Sequence, residues 1–193
     1  MNELQAEKVE TLEEYNRVRE FKKWMSLVLL SQMGNDKPNE LMINSLIRAK
    51  FYELTAEGIG QKGRKPDFFL MGLFSLIVAF LDRPMTEALQ ELPILTDIKT
   101  ALQDPHNQGA MSQVLRLTCS YEQSDWDTVS QLAKTLKISG PAVLTHYLAS
   151  SQWAKIVRSK IARGSYFMLS LDLNSLLMEN SEKSASHWPV NIK

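Results

Sequence analysis

Phe68 to Leu81, FFLMGLFSLIVAFL, places twelve apolar side chains in fourteen positions, with only Gly72 and Ser75 between them. Pro66 lies before the run and Asp82-Arg83-Pro84 closes it. As a helix, fourteen residues cover about 21 Å, short of the roughly 30 Å hydrocarbon core of a bilayer. A helix that is apolar on every side and too short to span lipid has to be buried in protein. The stretch therefore predicts a central core helix against which amphipathic helices pack. Its two small residues mark either a close helix approach or the frame of a catalytic motif.

Upstream, Thr11 and Glu14 form a T-x-x-E capping box, followed by Leu12, Tyr15, Val18, Phe21, Trp24, Met25, Val28 and Leu29 at three- and four-residue spacings. This predicts an amphipathic helix ending near Gly34, with those residues on its inner side. After the turn Gly34-Asn35-Asp36-Lys37-Pro38, a second helix is expected to run to about Gly58, with Leu41, Leu46, Ile47, Phe51 and Leu54 facing inward. Downstream, Pro84 opens a short helix and Pro93 stops it. Thr96 or Asp97 caps another through Leu102, before the turn Asp104 to Gly109. Met111, Val114, Leu115, Leu117, Thr118 and Tyr121 belong to a further helix. Ser124 or Asp125 caps a stripe of Trp126, Val129, Leu132, Ala133 and Leu136, and a last core helix carries Val143, Leu144, Tyr147, Leu148 and Trp153. No run alternates apolar and polar residues as a half-buried strand would, so the fold is expected to be all-α. Three regions are expected: a helical domain over 11–153, a basic then apolar extension over 154–178, and a disordered tail over 179–193.

The chain has 193 residues, enough for one domain with a real core, and its 22 basic and 22 acidic side chains cancel. No overall field recommends nucleic acid or an anionic membrane as partner. The single cysteine, Cys119, forms no internal disulfide and builds no zinc site alone, which suits a reducing cytoplasm. It is read as filler on the apolar side of its helix. The acidic start, MNELQAEKVETLEE, lacks the pattern of a secretory signal, so a cytoplasmic location is expected.

Several constellations yield to plainer readings. The segment Gly60 to Pro66, GQKGRKP, has three cations but no phosphate-loop pattern and reads as a solvated connection. His106, His146 and His187 form no H-x-x-x-H or H-D pair, and no G-x-S-x-G elbow is present. Neither a catalytic group nor a cofactor is expected. Residues 128–148, TVSQLAKTLKISGPAVLTHYL, fit the spacing of a helix-turn-helix. In that alternative Ser139, Ala142, Thr145 and His146 would face a DNA groove, with Lys155, Arg158, Lys160 and Arg163 on phosphates. The would-be recognition helix holds no Arg or Lys up to Ser151, and bidentate Arg to guanine is the commonest specific contact. Nucleic-acid binding is therefore the weaker reading.

Three segments in order, Phe21 to Glu57, Phe68 to Leu102 and Leu117 to Leu136, carry a D-K-P-x-E-L turn, an F-L-x-G-L-F-S-L helix, an R-P-M-x-E-x-L-x-x-L-P step and a Y-E-x-x-D-W element. Together, over about Asn16 to Trp153, they resemble the HDOD domain, in the version found C-terminal to EAL domains of bacterial cyclic-di-GMP signalling proteins. The resemblance implies helices upstream of Asn16, so the chain is expected to be a fragment or a shortened domain completed by a partner. It also implies kinship with HD-type metal phosphohydrolases, in which a His-Asp pair and a histidine on the preceding helix hold metal. On that frame Ser75 and Leu76 stand for the His-Asp pair and Asn44 for the histidine. A hydroxyl, a leucine and an amide are a poor ligand set for a divalent metal. The resemblance implies a non-catalytic signal-transduction domain that binds another protein or an EAL-type domain. A homodimer through the apolar face of Leu12 to Leu30, or through Tyr166 to Met178, is the further expectation. A divergent HD phosphohydrolase is the less favoured enzyme alternative. Direct cyclic-di-GMP binding lacks a clustered Arg motif to grip its phosphates.

Overall fold

The computed structural model describes residues 18, 21–23, 25–32, 37–90, 92 and 94–162. Among them the regular structure is helical, with no strand, as the periodicity predicts. Residues 18, 21–23 and 25–32 are the described part of α1. The 20-residue α2, Asn39–Gly58, starts directly after Pro38, and a 3-10 turn, Lys62–Arg64, leads into α3, Lys65–Phe74. Two short helices follow, α4 (Ile77–Leu81) and α5 (Met85–Ala88), then α6 (Thr96–Gln103). The longer α7 (Ala110–Glu122), α8 (Trp126–Leu136) and α9 (Gly140–Ala162) complete the set. No helix among the described residues is long and apolar enough to cross a membrane.

The greasy stretch is two helices rather than one. At Ser75 the hydroxyl bonds back to the Gly72 carbonyl (2.7 Å), and Ser75 N–H also reaches that carbonyl (3.3 Å), a tightened last turn that ends α3. Phe68 through Phe74 are all buried, whereas in α4 Val78 and Ala79 are exposed and only Ile77 and Phe80 are buried. The local apolar count could not show this break, because Ser75 acts through its own backbone neighbourhood. Left-handed Asp82 (φ 52°) then turns the chain out of α4.

The hub is α2, with α3 and α9 packed along it and α7 touching one side. Gly72 makes the α2–α3 approach possible. A Cβ there would lie 2.5 Å from the Arg48 carbonyl oxygen and 2.7 Å from the Ala49 Cα, so the two backbones are in direct contact. The partners along α9 show that it runs antiparallel to α2. His146 packs near Gly58, the Trp153 ring lies 5.7 Å from Lys50 Nζ, and Arg158 bonds Asn39. The helix runs on past Trp153, with Ala154, Val157 and Ile161 buried, so the change of composition at Trp153 falls inside α9.

Three predicted inner faces need correction. In α1 the buried residues are Lys23, Leu27, Leu30 and Ser31, while Val18, Phe21, Met25 and Leu29 are exposed. The cause is an ion pair. Lys23 Nζ donates to Glu53 at 2.5 Å with both side chains almost fully buried, and its ammonium also sits 4.6 Å from the Phe69 ring centroid. Lys50 completes the group by donating to the other Glu53 oxygen at 2.9 Å. Burial alone would raise the Glu53 carboxyl, but Lys23 and then Lys50 hold it down at about 2. In α8 Trp126 is exposed while Val129, Leu132, Ala133 and Leu136 are buried, and in α9 Leu144 and Leu148 are exposed. Helix starts follow the sequence more closely. Asp125 caps α8 by accepting from Thr128 N–H (3.2 Å), and the Ser139 hydroxyl accepts from Ala142 N–H (3.3 Å) at the start of α9. Leu95, with no side-chain bond, precedes α6, so neither Thr96 nor Asp97 caps it.

The cations of the 60–66 connection are engaged. Lys62 and Lys65 pair with Glu57 (3.4 and 2.8 Å), and Arg64 pairs with Asp67 (3.1 Å) and Asp97.

Candidate functional site

The break between α3 and α4 holds the polar group on which the functional reading turns. Arg48, on the middle turns of α2, is 9% exposed and lies on the buried side of the helix with Ala49, Phe51 and Tyr52. Its Nη1 donates to the Ser75 hydroxyl at 3.1 Å, and that hydroxyl in turn donates a hydrogen bond to the Gly72 carbonyl. The other edge of the guanidinium makes a two-point contact with Glu122, the last residue of α7, from Nε to Oε1 at 2.9 Å and from Nη2 to Oε2. The planar fork of arginine thus ties α2 to the end of α3 and the end of α7. Burial opposes the charge on Arg48. The hydrogen bond to Glu122 and the nearby negative charge outweigh it and hold the guanidinium more firmly protonated than usual.

Around this cation lie Tyr52, Cys119 and a ring cluster. The Tyr52 phenol is fully buried, and burial pushes its ionisation up against the opposing effect of Arg48. Cys119 is half-buried one turn before Glu122, and burial raises its thiol although Arg48 pulls the other way, so the neutral thiol is favoured at neutral pH. Tyr121 packs on Tyr147 (4.6 Å between centroids) and perpendicular to Trp126 (5.5 Å). Chemically the arrangement is a fixed positive charge with its bonds satisfied by a carboxylate and a hydroxyl. Among the described residues no three His, Cys, Asp or Glu side chains converge as metal ligands would.

The three positions expected to mark a lost metal site differ in their surroundings. Ser75 is in the cluster, Leu76 is half-buried against the apolar core, and Asn44 is exposed on α2 one turn before Arg48. The residues missed from sequence are Arg48 and Glu122. Each had a local signal. Arg48 falls among buried apolar positions of α2, and Glu122 follows Leu115 and Cys119 along one side of α7.

The nucleic-acid candidates differ in exposure and partners. Thr145 and Lys155 are exposed, with the Thr145 hydroxyl bonded to the Pro141 carbonyl (2.9 Å). His146 turns the other way, against Gly58, and Arg158 is bound to Asn39 at the start of α2. Ser139 spends its hydroxyl on the α9 cap, Ala142 is half-buried, and Arg163 lies outside the described residues. His106 is exposed in its turn, with its backbone N–H on Asp104 Oδ1 (3.1 Å), and His187 lies outside the described residues.

The chain is 30% identical over 138 residues to the cyclic di-GMP phosphodiesterase CdgJ of Vibrio cholerae, covering 72% of this chain and 32% of that protein. It is 35% identical over 120 residues to the uncharacterized protein YuxH of Bacillus subtilis, covering 61% of this chain and 29% of that one. The chain thus spans about a third of the length of these relatives. No protein-family model matches it, and no solved structure does.

Proposed function

We propose that this chain is an HDOD-like domain that takes part in bacterial cyclic-di-GMP signalling by binding another protein, without catalysing a reaction itself. The similarity to CdgJ supports the signalling context. Because that similarity covers only a third of the relative, its phosphodiesterase activity is not carried over.

One observation carries the non-catalytic reading. Where a metal phosphohydrolase would need converging histidines and carboxylates, Ser75 receives a hydrogen bond from Arg48, and Arg48 is locked to Glu122. A guanidinium is a permanent cation with no acceptor, so it repels a divalent ion and cannot act as general base. The domain then transmits a state through helix packing, and Arg48 is suited to that because it reports the relative positions of three helices at once. The partner is an EAL-type domain, in cis or in trans, and the setting is the cytoplasm.

The reading is tested by adding the purified chain to an EAL-type phosphodiesterase and measuring association by calorimetry and cyclic-di-GMP turnover alongside. Saturable binding that changes the partner's rate, with no turnover by the chain alone, is expected. Turnover by the chain alone, or no association up to about 100 μM, overturns it.

A further inference from the structure

Apolar side chains left exposed on α8 and α9 join into one patch. Trp126, Leu144 and Leu148 are 56%, 49% and 55% exposed. At 100° per residue, Leu144, Tyr147 and Leu148 fall within an arc of about 100° on α9. Half-buried Tyr147 carries the patch across to α8. Its ring lies 4.6 Å from that of Tyr121, which in turn lies 5.5 Å from that of Trp126. Three linked aromatic rings, ending in an exposed indole and flanked by two leucines, have the composition of an interface centre, where Trp and Tyr are enriched. Contiguous exposed apolar surface of this kind marks an interaction site.

The surrounding charge selects the occupant. Residues 117–133 carry Glu122, Asp125 and Asp127 and no Lys or Arg, and residues 138–154 carry no Asp, Glu, Lys or Arg. Lys134 and Lys137 lie at the other end of α8 from Trp126. Glu122 is matched by Arg48, which leaves the exposed carboxylates of Asp125 and Asp127 on either side of Trp126 in the chain. A cation is attracted to the face of an indole, and neighbouring carboxylates add to that attraction. A two-fold contact between copies of this chain would instead set Asp125 and Asp127 against their own images.

We propose that this patch is the docking surface for a segment of another protein that presents large apolar side chains beside a lysine or arginine. The apolar groups seat on Leu144, Tyr147 and Leu148, and the cation seats by Trp126 and Asp127. The proposal rests on the reading of the chain as a protein-binding domain and names the surface that it uses. Its place in the fold suits that role. Tyr147 packs edge-on against Phe51 of α2 (6.1 Å), and Tyr121 directly precedes Glu122, so an occupant bears on the contact that ties α2, α3 and α7 together.

The test pans the full chain against a phage-displayed library of random peptides, and the enriched peptides are synthesised and titrated by fluorescence polarisation. They should carry Lys or Arg beside Leu, Ile, Phe or Trp. Leu148→Asp and Trp126→Ala should each weaken their binding at least tenfold and Asp127→Lys at least fivefold, while Leu95→Ala, at another exposed leucine, leaves it unchanged. Leu148 and Asp127 are both exposed, so these two variants should keep the circular dichroism of the parent. No enrichment, enrichment of acidic peptides, or binding indifferent to Leu148→Asp and Asp127→Lys overturns the proposal. Association of the parent chain with an EAL-type phosphodiesterase is scored separately. Its absence counts against that partner, while the peptides alone decide the surface.

Discussion

Replacing Gly72 by alanine adds one methyl group at the point where α2 and α3 touch. The new Cβ would sit 2.5 Å from the Arg48 carbonyl oxygen and 2.7 Å from both the Arg48 carbonyl carbon and the Ala49 Cα. Non-bonded heavy atoms prefer about 3.5–4.0 Å, so the helices would have to part by about 1 Å. All three clashing atoms are backbone, which no rotamer change relieves. Alanine gains about 1 kcal/mol of helix propensity over glycine, while overpacking costs about 1–3 kcal/mol and more where backbone must move. The balance is a net loss of about 2 kcal/mol, worth roughly 4–8 °C in Tm for a chain of this size. Parting the helices also draws Ser75 away from Arg48, so near-ultraviolet circular dichroism from the nearby tyrosines should change. Urea denaturation of G72A is compared with G63A, where an added Cβ meets nothing within 4 Å and little change is expected. A G72A protein as stable as the parent would refute the backbone contact and the packing built on it.

Other expectations concern the buried charges. The Glu53 carboxyl is depressed from 4.5 to about 2 in the folded chain, so its contribution is fully present above about pH 4.5 and is lost as pH falls towards 2. Acid unfolding in this window should be blunted in a Glu53→Gln, Lys23→Met double variant, and an unchanged acid limb would count against the ion pair. Lys23→Ala alone strands much of the Glu53 charge, with Lys50 left as partial compensation, and should cost about 3 kcal/mol in chemical denaturation. Arg48→Met removes the tie between α2, Ser75 and Glu122. A loss of about 2 kcal/mol is expected, below the roughly 3–5 of fully buried pairs because Glu122 is partly open to water. Burial lowers the His146 imidazole below its usual 6.5 despite nearby Glu57, and its buried Nδ1 has no hydrogen-bond partner among the described residues. A depressed base favours the folded state while neutral, so stability should fall as pH drops below about 6.5, and His146→Phe should remove that part of the slope in thermal melts.

The all-α class, the extent of α2 and the cap at Asp125 were legible because they depend on neighbours within four residues. The faces of α1 and α9 were not. Periodicity identifies which residues share a side but not which side is covered, and on α1 the covered side was chosen by Lys23, whose partner Glu53 is thirty residues away. Exposed apolar residues at Val18, Met25, Leu144 and Leu148 carry the same local pattern as core residues. The candidate site was legible in part. Ser75 and Gly72 were singled out by their place in an apolar run, but Arg48 and Glu122 meet across 74 residues, a pairing no local pattern encodes. A polar cluster around Ser75 was not expected from the sequence, which offered that residue as a small one allowing close helix approach; Asn44 is exposed on α2. Homodimer formation through Tyr166 to Met178 falls on residues outside those described.

The most direct test of the proposed non-catalytic reading, in which Arg48 takes the place a metal would need, is the metal content of the chain, expressed with iron, manganese and zinc supplied and then desalted. Well under 0.1 equivalent of each is predicted, with Arg48→Ala no different. One tightly bound equivalent, or metal gained when Arg48 is removed together with cyclic-di-GMP hydrolysis, would contradict it.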